Sequence, residues 1–412
     1  MEILIPLGEK GMIKTQKNEP IDSKGELALA KVLIDATSLT TPHRLRGIGR
    51  YVWGLLGGFE KLQKEELAVD MVCLTQIRGI KNNNHFPFPY PTIQNRRPSY
   101  PSIRLQWLWN NLFLTREVAK IESLLFHSTD YNGIPISRKF KTVATLYDLI
   151  PLCFSETYLK NKSLDIRLGY KNMLKRYQRA DHIISISEAT KKDAIHFLGI
   201  AEDRITVVPL AYDKKLFYPV EDSNAIKRIK IKYDLPERYF LYSGSLEPHK
   251  NIERVLKAYK SLSNLPERFV FIGVHSERQR ESFNCQIREL KLIERVKHLG
   301  YVEDSDLSTL FGGATAFVFP SLKEGFGLPA LEAMACGCPV ISSNLSAMPE
   351  VVGEAGILVD PYDEKVLAES MTRLSSDEGL REQLKTKGLK RTPLFSWERC
   401  AQKTLEVYTK IL

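Results

Sequence analysis

Short apolar runs rich in β-branched residues recur along this chain, each followed by a longer stretch with helical spacing, and this alternation limits the fold most. In the first half the runs are VLIDA (32–36), MVCLT (71–75), SLLFH (123–127), TVATLYDL (142–149), HIISIS (182–187) and ITVVPL (205–210). A polar, Lys-rich stretch at 211–238, carrying Pro219 and Pro236, reads as a connection with at most a short helix. The alternation then restarts with RYFLYSG (238–244), FVFIG (269–273), VKHLGY (296–301), AFVFPS (316–321), PVISS (339–343) and GILVD (356–360). Near-continuous apolar strands belong in parallel sheets covered on both faces. The pattern therefore predicts an α/β protein of two Rossmann-like, doubly wound domains with a site in the cleft between them. A chain of 412 residues agrees with two cores rather than one. Residues 1–30 show no sustained period and are read as an extension.

Bulk properties narrow the function. No apolar run approaches the roughly 18–20 residues that span a bilayer, and the N-terminus lacks the order of a signal peptide, so a cytoplasmic protein is expected. The six cysteines are scattered and include no matched pair of C-x-x-C knuckles, which supports neither a disulfide framework nor a zinc site. The net charge of +10 is concentrated at 160–179, where Lys160, Lys162, Arg167, Lys171, Lys175, Arg176 and Arg179 accompany only Asp165. This stretch reads first as a solvated helix face and second as a contact for an anionic membrane surface or acceptor. A nucleic-acid partner is not expected, because the basic residues lack interleaved stacking aromatics or a reader motif. Trp107, Trp109 and Phe113 read first as helix core and second as a membrane or acceptor platform.

Chemistry concentrates in FPSLKEGFGLPALEAMACG, which leaves an apolar strand, turns through Gly325-Phe326-Gly327 and enters a helix with Pro329 in its first turn. A glycine turn opening a helix presents backbone N–H groups, here those of Gly327 and Leu328, at the positive end of the dipole, where a phosphate fits. Glu324 before the helix can accept from sugar hydroxyls, and Glu332 within it can hold a ribose. In YSGSLEPHKN, Ser245 follows a strand end, Asn251 can cap a helix, and Lys250 can neutralise a departing diphosphate. In the first half Gly47-Ile48-Gly49 forms a second candidate phosphate turn beside Arg44, Arg46 and Arg50. His127, Asp130, Tyr147 and Asp148 lie at C-terminal strand ends, where an α/β sheet presents ligand groups.

On these residues the chain resembles glycosyltransferase family 4 of the GT-B superfamily from Lys31 onward. Glu324 and Glu332 match the family's E-x7-E motif within EGFGLPALEAMACG, and GSLEPHKN resembles its glycine-to-lysine phosphate motif. GIGRY resembles a loop of bacterial polysaccharide and O-antigen enzymes, often mannosyltransferases. The resemblance implies an acceptor domain at 31–215, a donor domain at 216–395, and a final helix at 396–412 crossing back to the first. It implies retaining transfer of a hexose, mannose as first choice, from a nucleoside-diphosphate sugar to a hydroxyl of a glycan or lipid-linked acceptor. A peripheral place at the inner face of the membrane is expected only if the basic stretch at 160–179 forms one exposed face. No cofactor or obligatory metal is implied. By carry-over Glu324 contacts the donor sugar, Glu332 the ribose, Lys250 the phosphates and Gly47 to Gly49 the phosphate side, while Gly273, Tyr301 and Val302 border the base. Many relatives have arginine where Ser245 stands, and others have histidine at Tyr147, which leaves His127 as the histidine expected near the anomeric carbon. A sugar-nucleotide epimerase, a phosphorylase and a non-catalytic nucleotide-sugar-binding subunit are the alternatives.

Overall fold

The computed structural model describes residues 3–6, 12–16, 32–40, 47–63, 71–76, 88–95, 114–121, 123–131 and 133–412. Trp107, Trp109, Phe113, Arg44 and Arg46 lie outside the described residues. The chain divides into two compact units, Met1–Ala211 with Ser396–Leu412, and Tyr212–Phe395.

The first unit is built on one sheet. Its parallel part comprises β3 (Val32–Asp35), β4 (Met71–Gln76), β5 (Thr92–Asn95), β6 (Leu125–Ser128), β7 (Lys141–Leu146), β8 (His182–Ser185) and β9 (Ile205–Val207), in the spatial order β5-β4-β3-β6-β7-β8-β9. The order reverses between β3 and β6, where the chain ends of neighbouring strands diverge. Val32, Leu33 and Ile34 are fully buried, as strands covered on both faces must be. The segment at 1–30, read as an extension, contains β1 (Ile3–Pro6) and β2 (Met12–Gln16), an antiparallel hairpin whose second strand pairs with β5. Strand pairing, not a long periodic pattern, accounts for it: the hairpin occupies hydrogen-bonding groups that the edge of β5 would otherwise leave open.

The longest helices of this unit, among the described residues, are α1 (Gly47–Gln63) and α2 (Leu164–Arg179). The second unit contains α3 (Ser223–Lys232), α4 (Ile252–Lys260) and α5 (Leu328–Ala335), and α6 (Trp397–Ile411) returns the chain to the first unit. Helix α6 lies along α1, and the close approach depends on glycine. A Cβ on Gly54 would stand 2.1 Å from the Trp397 ring, and one on Gly58 would stand 2.3 Å from the Trp397 carbonyl oxygen.

The second unit has six parallel strands: β10 (Tyr239–Ser243), β11 (Arg268–Ile272), β12 (Val296–Gly300), β13 (Ala316–Phe319), β14 (Val340–Ser343) and β15 (Ile357–Val359). Their order, β12-β11-β10-β13-β14-β15, reverses between β10 and β13. The stretch read as a connection holds α3, capped by the Asp222 carboxylate accepting from Asn224 N at 2.8 Å, with Ile229 buried. Lysines at its exposed positions hid the helical period. All six cysteines are free thiols, and among the described residues no helix is long and apolar enough to cross a membrane.

Candidate functional site

The reversal point of the second sheet brings together the loops that leave β10 and β13, which is where an open α/β sheet forms its ligand crevice. After β10 the chain turns through Gly244 and Ser245 into a single 3-10 turn, Pro248–Lys250. Asn251 follows with φ +64°, and its side chain does not cap α4, as the sequence suggested. Its Nδ2 instead donates to the carbonyls of Pro320 at 3.1 Å and Pro361 at 2.7 Å. That amide ties the β10 loop to the β13 loop, and Leu322 N donates to His249 O at 2.8 Å beside it. Burial, then the neighbouring Lys250, lowers the His249 pKa to about 4, so this imidazole is neutral near pH 7.

This lacing sets Lys250 against Glu324. Lys250 Nζ donates to Glu324 Oε1 at 2.7 Å and to Oε2 at 3.0 Å, and it also lies 5.0 Å from the Phe319 ring centre. Both side chains are nearly enclosed, with 13% and 9% of their surface exposed. Three residues later Gly327, at φ +100°, opens α5. A Cβ there would meet Met348 Sδ at 2.6 Å, so the turn demands glycine by conformation and by space. Glu332 lies on α5 and is buried. Helix α5 ends at Ala335, and Gly337, at φ +74°, follows the cap.

The ends of β10, β11 and β12 are marked by three glycines with positive φ, Gly244, Gly273 and Gly300. A Cβ on Gly273 would stand 2.4 Å from Gly244 O, so the backbones approach too closely for any other residue. Ser245 accepts a hydrogen bond from Tyr242 Oη through its carbonyl at 2.6 Å. Tyr301 is exposed and Val302 buried. The Phe326 ring is buried, 5.8 Å from the Phe395 ring and edge to face.

In the first unit Gly47, Ile48 and Gly49 form the opening turn of α1 rather than a loop before it, with Gly47 exposed and Gly49 buried. Arg50 is half-buried one residue further on. Tyr147 donates to Thr129 O at 2.7 Å, and Asp148 accepts from Ile150 N at 3.0 Å and fixes the turn after β7. Asp130 is half-buried in the turn after β6.

His127, the histidine expected near the anomeric carbon, lies in the core of the first unit. It is fully buried, with Nδ1 2.6 Å from Tyr408 Oη and Nε2 2.8 Å from Thr145 Oγ1. Both ring nitrogens are engaged within the core, and Tyr408 comes from α6, so the ring fastens the returning helix to β6. Burial lowers its pKa to about 3. Since the unfolded imidazole titrates near ~6.5, stability is full above that pH and falls as pH drops toward 3, because only the unfolded state takes up the proton. Unfolding followed between pH 7.5 and 5 should show a declining melting temperature, and His127→Gln should flatten the decline. An equal slope in both proteins would contradict it.

Residues 223–391 match the family model described as glycosyl transferases group 1, and residues 45–216 match that of glycosyltransferase family 4. The O-antigen chain mannosyltransferase B of Escherichia coli is 33% identical over 383 residues, covering 88% of this chain and 96% of that protein. The chain belongs to the group 1, family 4 glycosyltransferases. The serotype-specific mannosyltransferase WbdA of the same species is 34% identical over 296 residues, or 69% of this chain. This glycosyltransferase spans only 36% of WbdA's length. Among solved structures, sucrose-phosphate synthase from Thermosynechococcus elongatus superposes with a TM-score of 0.71 at 22% identity, covering 92% of this chain and 98% of that one. HepE from Anabaena, solved with UDP and glucose, gives 0.68 at 18% identity over 92% and 99%. These likenesses identify the GT-B fold, with two Rossmann-like units.

One residue of this glycosyltransferase's site escaped the sequence reading. Ser346 Oγ accepts from Glu324 N at 3.1 Å and donates to Glu324 O at 2.7 Å, clamping the backbone that carries the carboxylate. Ser346 itself sits at φ +58°, a conformation that costs a non-glycine residue roughly 1–2 kcal/mol. Ser346→Ala keeps that strain and loses both bonds, whereas Ser346→Gly relaxes the strain, so alanine should be the more destabilising by about 1 kcal/mol. Urea unfolding of both variants reads the difference, and glycine being the worse of the two would contradict the clamp.

Proposed function

We propose that this chain transfers a hexose, mannose first among candidates, from a nucleoside-diphosphate sugar to a hydroxyl of a glycan or lipid-linked acceptor, with retention of anomeric configuration. The observation that carries the reading is the convergence of Lys250, Glu324 and the glycine-opened start of α5 at the reversal point of the second sheet. The names of two relatives, a serotype-specific mannosyltransferase and an O-antigen chain mannosyltransferase, support the choice of sugar and acceptor class.

In this reading the diphosphate lies on the N–H groups of Gly327 and Leu328, where the helix dipole favours an anion. Lys250 exchanges one oxygen pair for another, leaving the Glu324 carboxylate for the diphosphate, and Glu324 is released toward the sugar hydroxyls. As the glycosidic bond breaks, negative charge grows on the leaving diphosphate and the sugar becomes oxocarbenium-like. A fixed ammonium then stabilises the transition state more than the bound substrate. The departing phosphate oxygen accepts the acceptor's proton on the same face, so the new bond forms where the old one broke. Glu332 holds the ribose, and Gly273, Tyr301 and Val302 border the base. Charge neutralisation by lysine and backbone amides leaves no obligatory task for a metal.

The donor is testable by thermal shift. Selective binding to the folded state raises the melting temperature, and GDP-mannose should do so more than UDP-glucose at equal concentration and in EDTA. No shift with any nucleoside diphosphate or its sugar would sink the donor assignment.

A further inference from the structure

The first unit holds a basic cavity of about 390 Å³, lined by Arg116, Lys175, Arg176 and Arg179 together with Thr115 and Asn172. No lining residue is acidic. The acids closest in sequence are occupied: Glu117 pairs with Lys120 at 3.0 Å, and Asp181 pairs with Lys141 at 3.2 Å. Among the described residues none of the four cations has a carboxylate partner. Lys160, at the start of the basic stretch, differs in this respect, since it pairs with Glu156.

Arg176 is the most confined of the four. Its Nη1 donates to Ile134 O at 2.8 Å, which fixes the guanidinium, and its Nε is buried with no hydrogen-bond partner. A buried guanidinium N–H left unpaired is rare in a folded protein. Burial and the adjacent Arg179 both lower the Arg176 pKa, a sign of crowding among like charges. The cavity lies toward the N-terminal ends of the strands: α2 finishes at Arg179 just before β8, and Ile136 precedes β7. It is therefore at the opposite edge of the sheet from Asp130 and Asp148, and the proposed transfer does not use it.

We propose that this cavity binds a phosphate group, held by Arg116, Lys175 and Arg179 and completed by the unpaired Nε of Arg176. Planar guanidinium forks match phosphate oxygens in pairs, and a cluster of cations with no acid among them favours a dianion over a single charge, with Arg116, Lys175 and Arg179 exposed at the rim and Arg176 half-buried. The volume falls within the ~300–1,000 Å³ of small-molecule sites, leaving room for part of the molecule that carries the phosphate. A soluble phosphate ester and a lipid headgroup share this chemistry.

The test uses inorganic phosphate against chloride at matched ionic strength, in a Lys250→Ala background that disables the diphosphate site of the second unit. Phosphate should raise the melting temperature, and the combined Arg116→Gln, Lys175→Gln and Arg179→Gln substitutions should abolish the rise. Arg176 is left intact because it also supports Ile134 O. A charge-matched control, Lys227→Gln, Lys387→Gln and Lys390→Gln, all at exposed positions, should retain the rise. Equal loss in the control, an unchanged rise in the cavity variant, or no excess over chloride would each overturn the proposal. Co-sedimentation with vesicles of phosphatidylcholine containing phosphatidic acid, lost in the cavity variant, would identify a lipid-borne phosphate. A retained phosphate shift without co-sedimentation would identify a soluble one.

Discussion

Lys250→Ala should lower donor turnover by roughly 10²–10³-fold, the loss typical when one preorganised charge-stabilising group is removed from an active site. The substitution has a second consequence, because it strands the Glu324 carboxylate in a nearly enclosed position without its ammonium partner. Breaking an enclosed pair from one side costs up to about 3–5 kcal/mol, so a fall in activity alone would be ambiguous. Lys250→Met combined with Glu324→Gln removes both charges and keeps comparable volume. This double variant should regain most of the stability that Lys250→Ala loses, and its turnover should stay depressed. Urea midpoints and nucleoside-diphosphate release, measured on the same preparations, separate the two effects. Recovery of turnover along with stability would mean that the pair is structural.

A second large effect on folding is expected in α1, at Gly58. Helix propensity alone favours alanine over glycine by about 1 kcal/mol in a helix interior. Here a Cβ would fall 2.3 Å from the Trp397 carbonyl oxygen and 2.9 Å from Ala401 Cβ, and backbone cannot move aside as a side-chain tip can. Gly58→Ala should therefore destabilise, by about 2–3 kcal/mol, as overpacked cores do. Its neighbour supplies the control. A Cβ on Gly57 meets only Phe88 Cε1, at an ordinary 3.7 Å, so Gly57→Ala should be neutral or stabilising. Thermal unfolding of the pair should show opposite signs, and equal melting temperatures would contradict the packing of α6 on α1.

Much of the fold was legible because parallel strands buried on both faces are written as uninterrupted apolar runs. Val32 to Ile34, Phe269 to Ile272 and Ala316 to Phe319 all read that way. Strand β5 did not, since Thr92-Ile93-Gln94-Asn95 carries a single aliphatic residue and owes its conformation to pairing with β4 and β2. Helix α3 was obscured by four basic residues in ten, Lys227, Arg228, Lys230 and Lys232.

Within the candidate site, the glycine turn and its two glutamates were readable because backbone geometry is local. Side-chain partners were not. Lys250 meets Glu324 across 74 residues, and His127 meets Tyr408 across 281. Position at a strand end gave His127 the look of a ligand residue, but only the packing of a distant helix decides which way the ring is used. Ser346 left no sequence signal of its own, because a hydroxyl clamp on another residue's backbone depends on a left-handed φ that serine rarely adopts.

The most direct measurement is the anomeric configuration of the product, read from the one-bond carbon–proton coupling at the transferred sugar's anomeric carbon. Purified protein should be supplied with GDP-mannose and a mannose-terminated glycan in EDTA. An α-linked product from the α-linked donor, formed with equimolar release of GDP, is the predicted result. A β-linked product, or conversion of the donor without any acceptor, would contradict retaining glycosyl transfer.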